Sequence, residues 1–433
     1  MQASMPERKR ESTSLRSNED TGVGMEERAR FHHAGSNLVS QLSTHLVGRG
    51  EPQYSMALDA LDESLREAIH GRHLLVLGAA GFIARQTLPI LLRYEPSYVG
   101  VVDTSENGLA ELMRSLRASD AIPPTTTIEP WLCDIGSPNF IRLARLLGRV
   151  DRVFNFAAVK HVRSERDIPS LLRMLEVNVL GVHASARCIE EQFPGTPQFV
   201  VSTDKAADPG NFMGASKRTM EIALASLCIP FTTARFANVA FSSGSLLESW
   251  LIRLAEQQPL AVPEATWRYF LTPQEAGQLC AAASVAPARS AVVPQFTSPD
   301  LVLLEDALCT TLEFLGLEPL RSEGVEEARS LIDRGVAGEG RYPYFVTPLD
   351  TAGEKTAERM LGVDEVAQPW QEGLDTMPML GEKQGVTELI DWLTTVIADP
   401  SIDVTTDELG DRIRAVVPNF SHEGGESRLD DRA

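Results

Sequence analysis

Apolar residues recur in a regular order through the first half of the chain. The runs HLLVLGAA, SYVGVVD, DRVFNFAA and PQFVVSTD are short and rich in Val, Leu and Phe, and a stretch of helical spacing follows each. Strands alternating with helices predict an α/β fold, a Rossmann-type doubly wound parallel sheet, over residues 71–230. After residue 230 the alternation loosens and Pro becomes more frequent, so residues 231–360 are expected to form a smaller substrate-binding region. Upstream, LVSQLSTHL and ALDALDESLREAI space their apolar residues as helices do and predict two helices within 26–70. Downstream, TELIDWLTTVIA marks a helical C-terminal extension over 361–420. The ends, 1–25 and 421–433, are charged and poor in apolar residues, and are expected to be disordered tails.

Composition narrows the partners. At 433 residues with 43% hydrophobic, the chain suffices for two or three structural units. A net charge of −20 opposes a nucleic-acid partner, because phosphate backbones attract a Lys and Arg surplus. A small diphosphate ligand stays compatible, since helix N-terminal amides bind it without net positive charge. No apolar run approaches the roughly 20 residues of a membrane helix, so no membrane partner is expected. The opening MQASMPERKRESTS lacks the apolar stretch of a secretory signal. Five scattered cysteines, Cys133, Cys188, Cys228, Cys280 and Cys309, read as reduced residues of a cytoplasmic protein. The pair His32–His33 has no metal-ligand spacing, and no metal is expected.

The first apolar run ends in Gly78-Ala-Ala-Gly81-Phe82-Ile83-Ala84 and opens a helix. Gly78 permits the tight turn, and Gly81 lets backbone approach a pyrophosphate. Such strand ends are common, so the motif needs its context. Asp103 closes the next run, where an acid accepts hydrogen bonds from ribose hydroxyls and repels a 2′-phosphate. That favours NAD over NADP. Asp134 ends the third strand region, where it suits either an adenine contact or a turn or helix cap. Phe82, Ile83 and Ala157, beside these turns, complete the expected cofactor contacts.

The segment VSTDKAADPGNFMGASKR is more selective than the glycine motif. Together with GAAGFIA, VVDTSENGLAEL, NFAAVKHV, NVLG, ARFANV, RYFLTPQEA and DTAGEK, it resembles the polysaccharide-biosynthesis branch of the extended short-chain dehydrogenases, the UDP-N-acetylhexosamine 4,6-dehydratases. The resemblance covers roughly residues 72–360. It implies a nucleotide-sugar substrate and a sequence of C4 oxidation, loss of water across C5 and C6, and hydride return to C6. That chemistry needs a base at C5 and an acid at O6. By resemblance Lys205 is the base and Asp204 the acid, whereas the bare pair would read as exposed charges at a strand end. A lysine base requires burial or a nearby cation, and Lys217 is the candidate cation. Adjacent strand residues face opposite ways, so both groups reach one sugar only if the strand ends at Asp204, which AADPGN after Lys205 favours.

The resemblance assigns Lys217 to the nicotinamide ribose. Met213, one helical turn earlier, stands where the superfamily places a tyrosine. A thioether cannot take the C4 hydroxyl proton, which shifts that task to Asp204 or a water; in isolation Met213 reads as core packing. Some members of the family also carry methionine there. Thr203 is expected to bond the sugar. Lys160, followed by His161, lies near cofactor or substrate by resemblance, or is a solvated loop lysine. Asn178 reads as structural. Asn238 and Arg268 are placed near the nucleotide diphosphate, Arg268 as a bidentate donor, with a salt bridge as its alternative. Two departures bear on the substrate: Ser243 of FSSGS replaces the family's arginine, and VPEATW is a shortened lead into RYFLT. The substrate therefore need not be UDP-N-acetylglucosamine. Residues 1–70 and the last seventy or so have no counterpart. The family's habit implies a homo-oligomer. Two other readings compete: an epimerase or dehydrogenase on the same scaffold, which the missing tyrosine weakens, and a non-catalytic NAD-binding protein, which Asp204, Lys205 and Lys217 together oppose.

Overall fold

The computed structural model describes residues 36–160, 165, 167–348, 355–379 and 383–422. The chain enters through three helices, α1 (Ser36–Val47), α2 (Ser55–Ala60) and α3 (Asp62–Ile69). Strands and helices then alternate: β1 (His73–Leu77), α4 (Phe82–Leu92), β2 (Tyr98–Asp103), α5 (Glu106–Ala118), β3 (Thr127–Leu132), α6 (Pro138–Leu147) and β4 (Arg152–Asn155). α7 (Ile168–Leu175) passes through a π-helical stretch, Glu176–Gly181, into α8 (Val182–Gln192). β5 (Gln198–Val201), a short turn at Asp204–Ala206, α9 (Phe212–Ser226) and β6 (Phe231–Ala234) complete this half.

The second half holds β7 (Asn238–Val239), α10 (Leu246–Ala255), β8 (Leu260–Pro263), β9 (Trp267–Leu271), α11 (Pro273–Ser284) and β10 (Ser290–Pro294). There follow β11 (Leu301–Leu303), α12 (Leu304–Phe314), β12 (Glu318–Ser322), α13 (Val325–Asp333) and β13 (Arg341–Thr347). A hairpin, β14 (Gln368–Gln371) and β15 (Leu374–Pro378), precedes α14 (Lys383–Ala398) and α15 (Thr406–Arg414).

Nine strands make one sheet in the order β14-β15-β10-β6-β5-β4-β1-β2-β3. The pairs from β3 through β10 are parallel, and β15 and β14 are antiparallel additions. The expected doubly wound sheet is therefore present. Its central strands QFVV and FTTA are buried throughout, as strands covered by helices on both faces must be. The chain reverses direction across the sheet between β1 and β4, which opens a crevice at their carboxyl ends. A smaller lobe of two three-stranded sheets, β11-β9-β7 and β12-β13-β8, stands over that crevice.

Three features differ from the pattern-based expectation. The sheet does not end at residue 230, because β6, β10 and β15 extend it. The 361–420 stretch opens with a hairpin rather than a helix, since Leu374 and Met377 reach a core that only the folded sheet provides. Upstream there are three helices, not two, and α1 packs Leu42 and Leu46 into the smaller lobe beside Trp250 and Leu308. The expected tail at 1–25 lies outside the described residues, as does that at 421–433 from residue 423 onward, while the His422 ring packs tilted against Phe212 with centroids 4.7 Å apart.

Besides its apolar packing, the N-terminal extension is held by a buried ion pair. Arg49 donates to both carboxylate oxygens of Glu275, at 2.9 and 2.8 Å, and to the Phe270 carbonyl at 3.0 Å. Glu275 is fully buried, and its carboxylate also accepts the Gln53 N–H and closes the capping box of α11 with Thr272. Arg49→Ala leaves a buried carboxylate short of its charge partner, a loss of roughly 1–3 kcal/mol. Thermal unfolding of this variant is expected to show a lower Tm with cofactor affinity retained. An unchanged Tm would show that the extension is anchored elsewhere.

Candidate active site

A cleft of about 780 Å³ lies at the carboxyl ends of β1, β4 and β5, beneath the smaller lobe. It gathers most of the expected residues: Gly81, Phe82, Ile83 and Lys160 from the sheet edge, Thr203, Asp204 and Lys205 beyond β5, Met213 and Lys217 from α9, and Asn238 and Arg268 from the smaller lobe. Ser243 also lines it. Gly78, Asp103, Asp134 and Ala157 sit at neighbouring strand ends and do not line the cleft itself. His161 lies outside the described residues.

Gly78 is dictated by geometry twice over. Its φ is +69°, and a Cβ there would stand 2.5 Å from the Ala157 nitrogen. The turn after β1 thus presses directly on the turn after β4, leaving the N-terminus of α4 open to a ligand. Asp103 is fixed by accepting the N–H groups of Ala80 and Ser105, both at 2.9 Å. The carboxylate remains half-buried at the strand end, the position from which an acid meets ribose. Asp134 accepts the Gly136 N–H at 2.9 Å and pairs with Arg173 at 3.2 Å.

Beyond β5 the chain stays bonded to its neighbour before it turns: Ser202 and Asp204 donate to the Ala234 and Phe236 carbonyls, each at 2.9 Å. Thr203 then caps the short turn Asp204–Ala206. The Lys205 N–H donates to Asp204 Oδ1 at 2.8 Å, Thr203 Oγ1 donates to the same oxygen at 2.9 Å, and Lys205 Nζ lies 3.2 Å from it. Turning the chain brings both side chains to one cleft, which a regular strand would forbid. α9 comes so near that a Cβ on Gly214 would meet the Lys205 carbonyl oxygen at 2.6 Å.

On α9, Met213 is buried beside Leu389, Leu393, Leu409 and Ile413 of the C-terminal helices. Lys217 donates to the Val201 carbonyl at 3.0 Å. Burial pulls its ammonium down to about 8, with Glu221 opposing the shift. Asn178, in the π-helical stretch, exchanges two hydrogen bonds with the Val159 backbone at 2.8 and 2.9 Å and donates to Ser216 Oγ at 2.9 Å. Its structural role is as expected: it ties the loop carrying Lys160 to the helix carrying Met213. In the smaller lobe Arg268 Nη1 donates to the Lys355 carbonyl at 2.8 Å, and Asn238 donates to the Tyr269 carbonyl at 3.4 Å. Lys355 of DTAGEK bonds Asp208, linking that motif to the turn after Lys205.

Three acids escaped the sequence reading. Glu358 stands 4.0 Å from Lys205 Nζ; burial raises its pKa, Lys205 lowers it and Asp204 raises it again. Glu165 accepts the N–H groups of Met213 and Phe212 at 2.9 and 3.1 Å, and burial lifts its carboxyl to about 7. Glu221 receives Ser202 Oγ at 2.7 Å and forms a buried pair with Arg235 at 2.8 Å. No spacing rule marks them, because each meets its partner across tens of residues or through a turn. Among the described residues no group of His, Cys, Asp and Glu is arranged to hold a metal ion, and no helix is long and apolar enough to cross a membrane.

The cleft and its motifs have relatives. The capsular polysaccharide biosynthesis protein CapD of Staphylococcus aureus is 29% identical over 254 residues, covering 56% of this chain and 40% of CapD. A UDP-glucose 4-epimerase of Rickettsia massiliae is 32% identical over 148 residues, covering 32% of this chain and 42% of the epimerase. The chain thus spans about two-fifths of the length of these two curated relatives. The X-ray structure of Pen from Bacillus thuringiensis shares the fold, with a TM-score of 0.58 at 20% identity over 76% of this chain and 98% of that one. The sequence profile described as polysaccharide biosynthesis protein matches residues 74–318, more than half of the chain. On that match and the sheet that carries it, the chain belongs to the polysaccharide biosynthesis family of the extended short-chain dehydrogenases.

Proposed function

We propose that this chain is an NAD-dependent nucleotide-sugar 4,6-dehydratase. The observation that carries the reading is that one turn presents Asp204 and Lys205 to the same cleft, 3.2 Å apart, while Met213 fills the position of the superfamily's tyrosine. The cradle at Gly78, which a Cβ would fill, and the acid at Asp103 fit a dinucleotide. When bound, the nicotinamide supplies the acceptor and later the donor of the sugar's hydride. Gly78, Gly81 and the α4 N-terminus would hold the pyrophosphate, Asp103 the adenosine ribose and Lys217 the nicotinamide ribose.

The proton balance of the elimination closes within the Asp204–Lys205 pair. Moving one proton from Nζ to Oδ1 turns ammonium and carboxylate into an amine base and a carboxylic acid. A sugar that excludes water from the pair favours this neutral form, since separated charges lose their hydration. Lys205 then takes the C5 proton and Asp204 gives its own to the departing C6 hydroxyl, which leaves as water and restores both charges. The C4 hydroxyl proton passes to a water, because Asp204 already carries the proton from Lys205 and Met213 offers no acceptor of use. Asn238 and Arg268 face the diphosphate, and Lys160 the sugar or cofactor. The Rickettsia relative's name favours C4 epimerisation as a second reading, but that chemistry depends on a hydroxyl that Met213 lacks.

Mass spectrometry with a panel of nucleotide sugars tests the reading, the expected product being substrate minus one water. Lys205→Met and Asp204→Asn are each expected to slow product formation by ~10²–10⁴, the usual cost of losing a positioned base or acid. Both should retain cofactor binding and still permit transient NADH absorbance. Near-wild-type turnover in both variants would eliminate the mechanism, whereas Lys217→Met should differ by weakening cofactor binding itself.

The cofactor assignment is separately testable by titrating apo-protein with NAD and NADP. Asp103 is expected to give tighter NAD binding, and Asp103→Asn to narrow the gap by removing the charge that repels a 2′-phosphate. Tighter NADP binding in the wild type would overturn the role of Asp103.

A further inference from the structure

A second cavity, of about 530 Å³, lies at the opposite edge of the sheet from the cleft. The N-terminal ends of β4, β5 and β6, the helix α3 and the last turn of α11 enclose it. Two arginines, Arg72 and Arg152, line it among apolar walls that include Pro197, Pro230 and Val285.

Arg152 is paired in an unusual way. One Nη1 donor reaches the Ser284 carbonyl at the end of α11. Its Nε is buried with no hydrogen-bond partner among the described residues. No carboxylate stands within ion-pair distance of the guanidinium among those residues, and burial and the charge of Arg72 both oppose its protonated form. Of the two acids lining the cavity, Asp151 accepts the His73 N–H at 2.8 Å and pairs with Arg149 at 2.9 Å, and the charge of Arg72 lies near enough to lower its pKa further. The other, Glu67, is exposed and forms no ion pair with either arginine. The same chain shows how it treats a buried arginine of structural purpose: Arg235 meets the carboxylates of both Glu221 and Glu365. A buried charge left without a counter-charge is costly, and planar guanidinium donors match phosphoryl oxygens in bidentate geometry.

We propose that this cavity is an anion site for a small phosphate monoester, with Arg152 and Arg72 on the phosphoryl oxygens and the apolar wall against the organic group. A phosphate monoester is close to a dianion at neutral pH and so answers two guanidiniums. The site is separated from the catalytic cleft by the full length of the strands, so its occupant neither competes with nor reports on the nucleotide sugar.

The test is calorimetric titration and thermal unfolding of the full chain with inorganic phosphate and with phenyl phosphate, against chloride at equal ionic strength. Both phosphates are expected to bind and raise Tm, phenyl phosphate more strongly. Arg72→Ala, at an exposed position, should weaken binding at least tenfold without unfolding the protein, and Arg152→Gln should abolish it. Arg329→Ala, at an exposed position of α13 away from both cavities, should leave binding unchanged. If Arg152→Gln fails to fold, Arg72→Ala decides the matter. Absence of a phosphate effect beyond chloride, equal binding by Arg72→Ala, or loss of binding on Arg329→Ala would each overturn the proposal.

Discussion

The Arg235 guanidinium, fully buried at the end of β6, ties together the segments around the Asp204–Lys205 turn. It bonds Glu221 of α9 at 3.1 and 2.8 Å and Glu365 of the segment before β14 at 2.8 Å. Arg218 closes the ring onto both acids, and Ser202, next to the Thr203–Lys205 turn, donates into it. The paired arginines hold Glu221 down at about 2, against a burial that alone would raise it. Breaking such a network by removing one partner typically costs about 3–5 kcal/mol, because an uncompensated charge stays behind. Four segments therefore share one electrostatic commitment, and the turn carrying Asp204 and Lys205 adjoins it.

The second constraint is steric. Gly78 and Gly214 are both places where a Cβ would strike backbone, of Ala157 and of Lys205 respectively. The first closes the turns after β1 and β4 around the dinucleotide site. The second seats α9 on the catalytic turn, so that Lys217 and Met213 face the cleft. Against this rigid frame the smaller lobe supplies adaptable polar groups. Ser243 stands where relatives of the resembled family carry arginine, and Arg268 is engaged with backbone carbonyls.

Much of the cofactor half was legible in the sequence because its determinants are local. Glycines at a strand end and an acid at the next strand end lie within short windows, and the alternation of apolar runs marks a parallel sheet. The Asp204–Lys205 pair was legible for the same reason, and the Pro-Gly run after it anticipated the turn that brings both groups to one side. Glu358, Glu165 and Glu221 were not legible. Each is an ordinary acid in its own segment and gains meaning only from a partner delivered by another. Asp134 was left open between adenine contact and turn formation, and it accepts the Gly136 N–H of its own turn.

The sequence by itself determined the alternating strands and helices of the parallel half of the sheet and the placing of Gly78, Gly81, Asp103, Asp204 and Lys205 at its strand ends, since these follow from short-range periodicity and from residue types at fixed spacing. Only the tertiary structure decided how the ends of the chain are used. Hydrophobic burial is non-directional, so the apolar faces of α1, α14 and α15 announce that they will be covered without saying by what. Folding places α1 in the smaller lobe and α14 and α15 over Met213, and adds β14 and β15 to the sheet edge. Likewise a lone arginine does not reveal its counter-charge: Arg235 finds two carboxylates, and Arg152 finds none among the described residues. Charge pairing across the fold is a property of positions in space, which no local pattern encodes.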